Sequence, residues 1–200
     1  MNKGALIIIS GPSGSGKDTV LKRLFEKMPD LKFSISSVSR AMREGEKEGE
    51  KYNFISREKF QEMIDNDLLL EYNVYCGNFY GTPKKPVDDA IAEGKEIVLE
   101  VDVNGAFNVR KKCKDVYSIF IAPPSIEVLR QRLTSRGTEA LEVIEKRMTE
   151  AKTELARADE YDYVIINDNL DLAVEEMAGI ILAERHKTYR NTDIFNKMKI

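Results

Sequence analysis

Residues 11–19, with the sequence GPSGSGKDT, combine three glycines and a lysine at a spacing that suits phosphate binding. An apolar run at 5–9 predicts a strand before them, and apolar residues at helical spacing between 20 and 28 predict a helix after them. Because glycine lacks a Cβ, the loop can turn tightly and direct its N–H groups at an anion, with the positive end of the helix behind them. We predict a phosphate-binding loop, rather than a turn without a ligand, made of Gly11, Ser13, Gly14, Ser15, Gly16, Lys17, Asp18 and Thr19.

Asp18 departs from the usual pattern of such loops. The lysine is ordinarily followed by Ser or Thr, whose hydroxyl binds Mg²⁺. A carboxylate can also bind a hard cation, directly or through water, but it adds negative charge beside the phosphates. We therefore predict that Asp18 is a ligand of Mg²⁺.

The bulk composition excludes several classes of partner. The chain has 200 residues, 42% of them apolar, and a formal net charge of −3, so it has no overall attraction to nucleic acid or to anionic membranes. No apolar stretch approaches the length of a membrane span, and the run at 5–9 is too short for a signal peptide. Cys76 and Cys113 are too few for a disulfide framework, which favours a reducing, cytoplasmic setting.

The elements that position the loop follow an α/β pattern. Apolar strands at 5–9, 97–101, 117–121 and 163–166 alternate with helical segments, which predicts a parallel sheet covered by helices on both faces. Between them, residues 33–83 predict a small inserted mixed α+β unit. It contains strands at 33–39, 52–55 and 68–75, and a helix that Ser56 caps.

Several motifs resemble those of guanylate kinases, the nucleoside-monophosphate kinases that transfer a phosphoryl group from ATP to GMP. They occur in order: GPSGSGK, the segment ending in Arg40 and Arg43, YNF, LEY, GNFYGT, EVDVNG, IAPPS, SRGTE and IND. The resemblance covers about residues 4 to 187. It implies one domain over 1–200, with a core at 1–32, 84–122 and 148–190, a GMP-binding lobe at 33–83, a helical lid at 123–147 and a tail at 188–200.

Glu71 is the candidate reader of the guanine base. Guanine presents a ring N–H and an amino group side by side, and one carboxylate can accept from both, whereas adenine has no such pair of donors. By resemblance, Ser36, Thr82 and Asp102 complete the contacts to the base. The alternative for Glu71 is a charged residue on an exposed strand.

Arg40, Arg43, Tyr52 and Tyr80 are the candidate ligands of the GMP phosphate. A guanidinium group offers a planar fork of donors for phosphate oxygens, and the tyrosine hydroxyls can donate to the same oxygens. The alternative is a solvated charged loop, since acidic residues are frequent between 44 and 50.

The resemblance also implies residues that act on the transferring phosphoryl group. Arg132 and Arg136, four residues apart, share a helical face, and with Arg147 and Lys17 they would stabilise the charge that develops in transfer. An exposed basic face is the alternative for the arginines. Asn167 would contact the adenine of ATP, or it could simply cap the helix that follows.

The expected mechanism is in-line phosphoryl transfer to GMP, and also to deoxy-GMP, with Mg²⁺ as cofactor. No general base is required, because the GMP phosphate is already anionic. By resemblance, Glu100 joins Asp18 at the metal, directly or through water. Two alternatives remain at this stage: a related kinase acting on a ribose bisphosphate, and a guanylate-kinase-like domain that binds peptides without catalysis. The oligomeric state is left open.

Overall fold

The computed structural model describes residues 4–135, 141–192 and 198. Its strands are β1 Ala5–Ser10, β2 Lys32–Phe33, β3 Ser36–Val38, β4 Tyr52–Phe54, β5 Leu69–Tyr75, β6 Asn78–Pro83, β7 Glu96–Glu100, β8 Val116–Ala122 and β9 Tyr163–Ile166. Its helices are α1 Lys17–Lys27, α2 Arg57–Asp65, α3 Lys84–Ala92, α4 Val103–Lys112, α5 Ile126–Thr134, α6 Leu141–Leu155 and α7 Leu170–Arg185.

The large sheet has the strand order β2-β7-β1-β8-β9, and all its pairings are parallel. Every residue of β1 is buried, as expected for a strand covered on both faces. Ile7 and Ile9 pack with residues of α1 and α7, whereas Leu6 and Ile8 pack with residues of α3 and α4. Because the strands are parallel, their carboxyl ends lie along one edge of the sheet, where ligands bind in folds of this kind.

The small sheet has the order β4-β3-β6-β5, with β3 and β4 parallel and the other pairs antiparallel. Cys76 and Gly77, both with positive φ, make the tight turn between β5 and β6. Helix α2 covers the sheet through Phe60, which stacks on Phe79 with ring centroids 5.0 Å apart. The predicted α/β fold class, with its parallel sheet and second mixed unit, is therefore confirmed.

Side-chain caps fix where several helices begin. Ser56 and Ser125 accept hydrogen bonds from Lys59 N and Val128 N, as the sequence predicts for α2 and α5. Asn169, rather than Asn167, caps α7 by accepting from Leu172 N. The capping alternative for Asn167 is therefore wrong.

The prediction of one strand over 33–39 is also wrong. Phe33 pairs with Val98 in the large sheet, and Ser34 N donates to Val98 O at 2.8 Å. Only from Ser36 onward does the chain pair within the small sheet. The chain passes from one sheet to the other inside this segment, which residue types alone do not reveal.

Among the residues that the structure describes, none of the helices has both the length and the apolar character that a membrane span requires.

Candidate active site

The phosphate-binding loop joins the end of β1 to the start of α1. Gly11, Gly14 and Gly16 all have positive φ, at 147°, 89° and 89°. A Cβ on Gly11 would lie 2.1 Å from Ile121 O, and one on Gly16 would lie 2.3 Å from the side-chain nitrogen of Asn167. Both the backbone angle and the available space therefore demand glycine at these two positions.

Lys17 lies folded over the loop. Its ammonium donates to Gly11 O at 2.6 Å and to Pro12 O at 3.3 Å. Burial lowers the pKa of Lys17, although the nearby carboxylates of Glu100 and Glu154 oppose this. The loop is closed by a hydrogen bond from Ser15 N to Pro12 O at 3.0 Å. A half-buried positive charge therefore lies directly on the backbone that would surround an anion.

One side of the loop opens on a cavity of about 350 Å³. It is lined by Gly14, Gly16, Thr19, Arg132, Ser135, Asn167, Asp168 and Leu170. Asn167 is buried and donates from its side chain to Ser15 O at 2.7 Å. Arg132 donates to Asn167 O at 2.8 Å and to Ser15 O at 3.3 Å. Two polar residues that line the cavity, Asn167 and Arg132, therefore also hold the backbone of the loop in place.

Two of the three predicted arginines, Arg132 and Arg147, lie among the residues that the structure describes. Arg132, on α5, contacts the loop as described above, and Arg147, on α6, donates to the hydroxyl of Ser13. Arg136 lies outside the described residues. The exposed basic face considered for these arginines does not describe Arg132, which is half-buried against the loop. For Arg147 that alternative stays open, since its contact with Ser13 is exposed.

Glu71 lies in β5 with only 7% of its surface exposed, so the exposed-strand alternative is wrong. Its carboxylate accepts from the hydroxyl of Thr82 at 2.7 Å. Burial raises the pKa of Glu71 to about 7, although the hydrogen bond from Thr82 opposes the rise. Asp102 caps α4 by accepting from Gly105 N, and its second oxygen accepts from the amide of Asn73 at 2.8 Å. The buried acceptor Glu71 thus has two polar neighbours, Thr82 in β6 and Asp102 at the start of α4.

Arg40 is held between the rings of the small sheet. Its guanidinium lies 5.2 Å from the ring centre of Tyr52 and donates from Nε to the hydroxyl of Tyr80 at 3.1 Å. Its two terminal nitrogens donate to both carboxylate oxygens of Glu46 at 2.6 Å each. Arg43 contributes its backbone N–H to the same carboxylate at 2.8 Å. Ser36 lies in register with Tyr52 in the neighbouring strand.

Arg40 and Glu46 form a strongly coupled pair. The hydrogen bonds from Arg40 hold the pKa of the Glu46 carboxyl at about 2, and Glu46 in turn raises the pKa of Arg40. A carboxylate thus already sits in the fork of Arg40, with the two-oxygen geometry that a phosphate also offers.

Asp18 and Glu100, the two predicted metal ligands, meet at one ammonium group. Lys51 Nζ lies 2.5 Å from Asp18 Oδ1 and 2.9 Å from Glu100 Oε2. Asp18 belongs to the first turn of α1 and Glu100 is the last residue of β7. In the part of the chain that the structure describes, no group of three or more His, Cys, Asp and Glu side chains could hold a metal ion.

Sequence reasoning missed four polar residues of this site: Glu46, Lys51, Asn73 and Glu154. Burial raises the pKa of Glu154 to about 7, although Lys17 nearby opposes this. For Lys51 the signal was its position directly before Tyr52 in an acidic loop. For Glu46, Asn73 and Glu154, no sequence pattern distinguishes them from ordinary surface residues.

The chain is similar to known proteins in both sequence and fold. The sequence profile of the guanylate kinase family matches residues 3–184. A protein of Desulfitobacterium hafniense (strain Y51) named guanylate kinase is 45% identical over 194 residues, covering 97% of each chain. One of Carboxydothermus hydrogenoformans with the same name is 46% identical over 190 residues, covering 95% of this chain and 93% of its own. The crystal structure of guanylate kinase from Anaplasma phagocytophilum superposes with a TM-score of 0.79 at 34% identity, covering 95% of this chain and 90% of that one.

Proposed function

The chain belongs to the guanylate kinase family and transfers a phosphoryl group from ATP to GMP, and from this premise we propose which of its residues carry out the transfer. The observation that carries the proposal is the buried carboxylate of Glu71, held by Thr82 in the small sheet. Such a group needs donors, and guanine supplies two of them on one edge.

We propose that ATP binds along the phosphate-binding loop. The backbone of residues 11–16 and the ammonium of Lys17 would surround its phosphates. The glycines with positive φ and the ammonium lying on the loop support this. The adenine would enter the cavity beside Asn167, whose side chain already contacts the loop. Arg132 and Arg147, with Arg136, would approach the transferring group from the lid at 123–147.

GMP would bind across the small sheet, in a lobe formed by residues 33–83. Glu71 would accept from the base, with Thr82, Ser36 and Asp102 beside it. Arg40, whose fork already holds two carboxylate oxygens, would take the phosphate together with Arg43, Tyr52 and Tyr80. Since these contacts go to the base and the phosphate, deoxy-GMP would also serve as a substrate.

The donor set at Asp18 and Glu100 fits Mg²⁺. Both carboxylates already bind one cation, the ammonium of Lys51, at 2.5 Å and 2.9 Å. Mg²⁺ is commonly held by one or two carboxylates, together with water and substrate phosphates. When bound, it would neutralise charge on the phosphate oxygens.

The residues of the chain would then act mainly by position and charge. Lys17 would leave the loop carbonyls and move to the phosphate oxygens, where Arg132 and Arg147 would share the developing charge. The lid would exclude water, which would otherwise accept the phosphoryl group. No side chain needs to remove a proton, because the attacking phosphate oxygen is already anionic.

Neither alternative is favoured by an observation of the structure. A ribose bisphosphate offers no base, and so gives no reason for a buried carboxylate at Glu71. A non-catalytic peptide-binding domain gives no reason for the ammonium of Lys17 to be folded over the glycine-rich loop. We also place the chain in the cytoplasm, since Cys76 and Cys113 are free thiols.

The test is the purine selectivity of Glu71→Gln. IMP lacks the 2-amino group of GMP, so the unchanged protein should prefer GMP by a large factor in kcat/KM. The variant should lose about 100-fold of that preference, because a neutral amide cannot accept from both donors. Glu62→Gln, on the exposed face of α2, is the matched control and should keep the preference. An unchanged GMP-to-IMP ratio in Glu71→Gln would refute the assignment.

A further inference from the structure

Lys51 connects three parts of the chain that the reaction must bring together. It directly precedes Tyr52, the first residue of β4, so its backbone belongs to the small sheet's side of the site. Its ammonium reaches Asp18 on α1 and Glu100 at the end of β7. The side chain therefore lies where the expected GMP phosphate, the phosphate-binding loop and the metal ligands meet.

The charges at this point explain why a lysine is held there. The side chain of Glu100 is only 13% exposed, and a carboxylate that is largely removed from water is costly unless a positive charge lies close to it. Asp18 adds a second negative charge beside it. The ammonium of Lys51 lies within hydrogen-bonding distance of both carboxylates. It is thus bound by two groups of opposite charge.

We propose that Lys51 is an internal counter-ion of the metal site, which a divalent cation displaces from Asp18 and Glu100 when it binds. This rests on the proposed function, in which those two carboxylates receive the metal. An ammonium and a divalent cation repel each other and cannot both stay within hydrogen-bonding distance of the same two oxygens. Lys51 therefore lowers the affinity of the free protein for the metal.

Displacement has a consequence for the transfer itself. Because Lys51 is anchored next to Tyr52, its released ammonium stays close to the phosphate ligands of the small sheet. The positive charge is then available where the two substrates' phosphates approach each other. Lys51 is in this sense a positioning residue, whose contacts differ between the free and the metal-bound protein.

The experiment measures Mn²⁺ binding by electron paramagnetic resonance, on the full chain without nucleotide. Lys51→Met should bind Mn²⁺ about tenfold more tightly than the unchanged protein, because one repelling charge is gone. Lys51→Arg retains the charge and should behave like the unchanged protein. Lys47→Met is the matched control, since Lys47 lies in the same loop, is highly exposed and pairs with Glu50. It should leave Mn²⁺ affinity unchanged.

Two further variants separate this inference from the proposed function. Asp18→Asn and Glu100→Gln should each weaken Mn²⁺ binding, and if neither does, the assignment of the metal ligands fails. If they do weaken it while Lys51→Met binds Mn²⁺ no more tightly than the unchanged protein, the counter-ion role is overturned. Circular dichroism checks the fold of every variant, and Lys51→Gln replaces Lys51→Met, with the same two outcomes, should the methionine variant not fold.

Discussion

The two halves of the site differ in which part of the chain does the binding. In the proposed function the phosphate-binding loop would bind through its backbone, which is held by the fully buried strand β1 and by glycines that leave no room for a Cβ. The small sheet would bind through side chains, which come from separate strands and loops and are already paired with one another. Glu71 is bonded to Thr82, and Arg40 to Glu46.

This difference determines what a substrate must replace on binding. At the loop, under the proposed function, a phosphate would replace the contacts that one group, the ammonium of Lys17, makes with carbonyl oxygens. At the small sheet, under the proposed function, the GMP phosphate would replace the Glu46 carboxylate in the fork of Arg40, an exchange of one anion for another. Binding at the loop would therefore depend on the shape of its backbone, and binding at the small sheet would depend on the identity of each side chain.

The largest expected effect is that of Lys17→Met. The variant keeps the backbone of the loop but loses its mobile charge, so kcat should fall by about 10²- to 10³-fold. Lys22→Met, on an exposed position of the same helix, is the control and should retain activity. Steady-state kinetics with saturating ATP and GMP measures both. A loss of less than threefold would mean that the backbone alone stabilises the transferring group.

A smaller effect is expected for Arg40→Lys. Lysine keeps the charge but lacks the planar fork, so the KM for GMP should rise about 10- to 100-fold while the KM for ATP stays nearly constant. Arg57→Lys is the matched control, because Arg57 also lies over an aromatic ring of the small sheet, that of Phe79. Equal rises of both KM values would contradict the division into two separate binding regions.

The loop and the fold class were predictable because their signals are local. Three glycines and a lysine between an apolar strand and an apolar helix already define the loop, and Ser56 and Ser125 mark helix starts by residue type. The family resemblance added Glu71, which spacing alone would have left on an exposed strand. The structure buries it instead.

The remaining features depend on partners that are distant in the sequence. The break between Phe33 and Ser36 follows from which sheet each residue pairs with. The contact of Lys51 with Asp18 joins residues 33 positions apart, and that of Asn167 with Ser15 joins residues 152 apart. The family resemblance gave Asn167 a contact with adenine and its residue type gave it a helix cap. The position of Asn169 at the helix start excluded the cap.

The smallest effect concerns pH, and it follows from the raised pKa of Glu71, about 7 against an ordinary 4.5. A carboxyl whose pKa is raised on folding binds its proton more tightly in the folded state, so its contribution to stability falls as the pH rises from about 4.5 to about 7. Binding of guanine has the opposite trend, because only the ionised carboxylate accepts from both donors. The affinity for the base should therefore increase up to about tenfold between pH 6 and pH 8.

Guanosine is the suitable ligand for this measurement, since the phosphate of GMP titrates near pH 6 and would obscure the carboxyl. Dissociation constants from nuclear magnetic resonance titrations should fall with pH for the unchanged protein and stay level for Glu71→Gln. The same variant should lose the decline in unfolding free energy between pH 4.5 and pH 7 in urea titrations. A level guanosine affinity in the unchanged protein would mean that Glu71 is ionised throughout this range. In that case the hydrogen bond from Thr82 and the neighbouring polar groups would offset the effect of burial on the pKa of Glu71. The loop does not offset burial in this way at Lys17, whose pKa stays lowered.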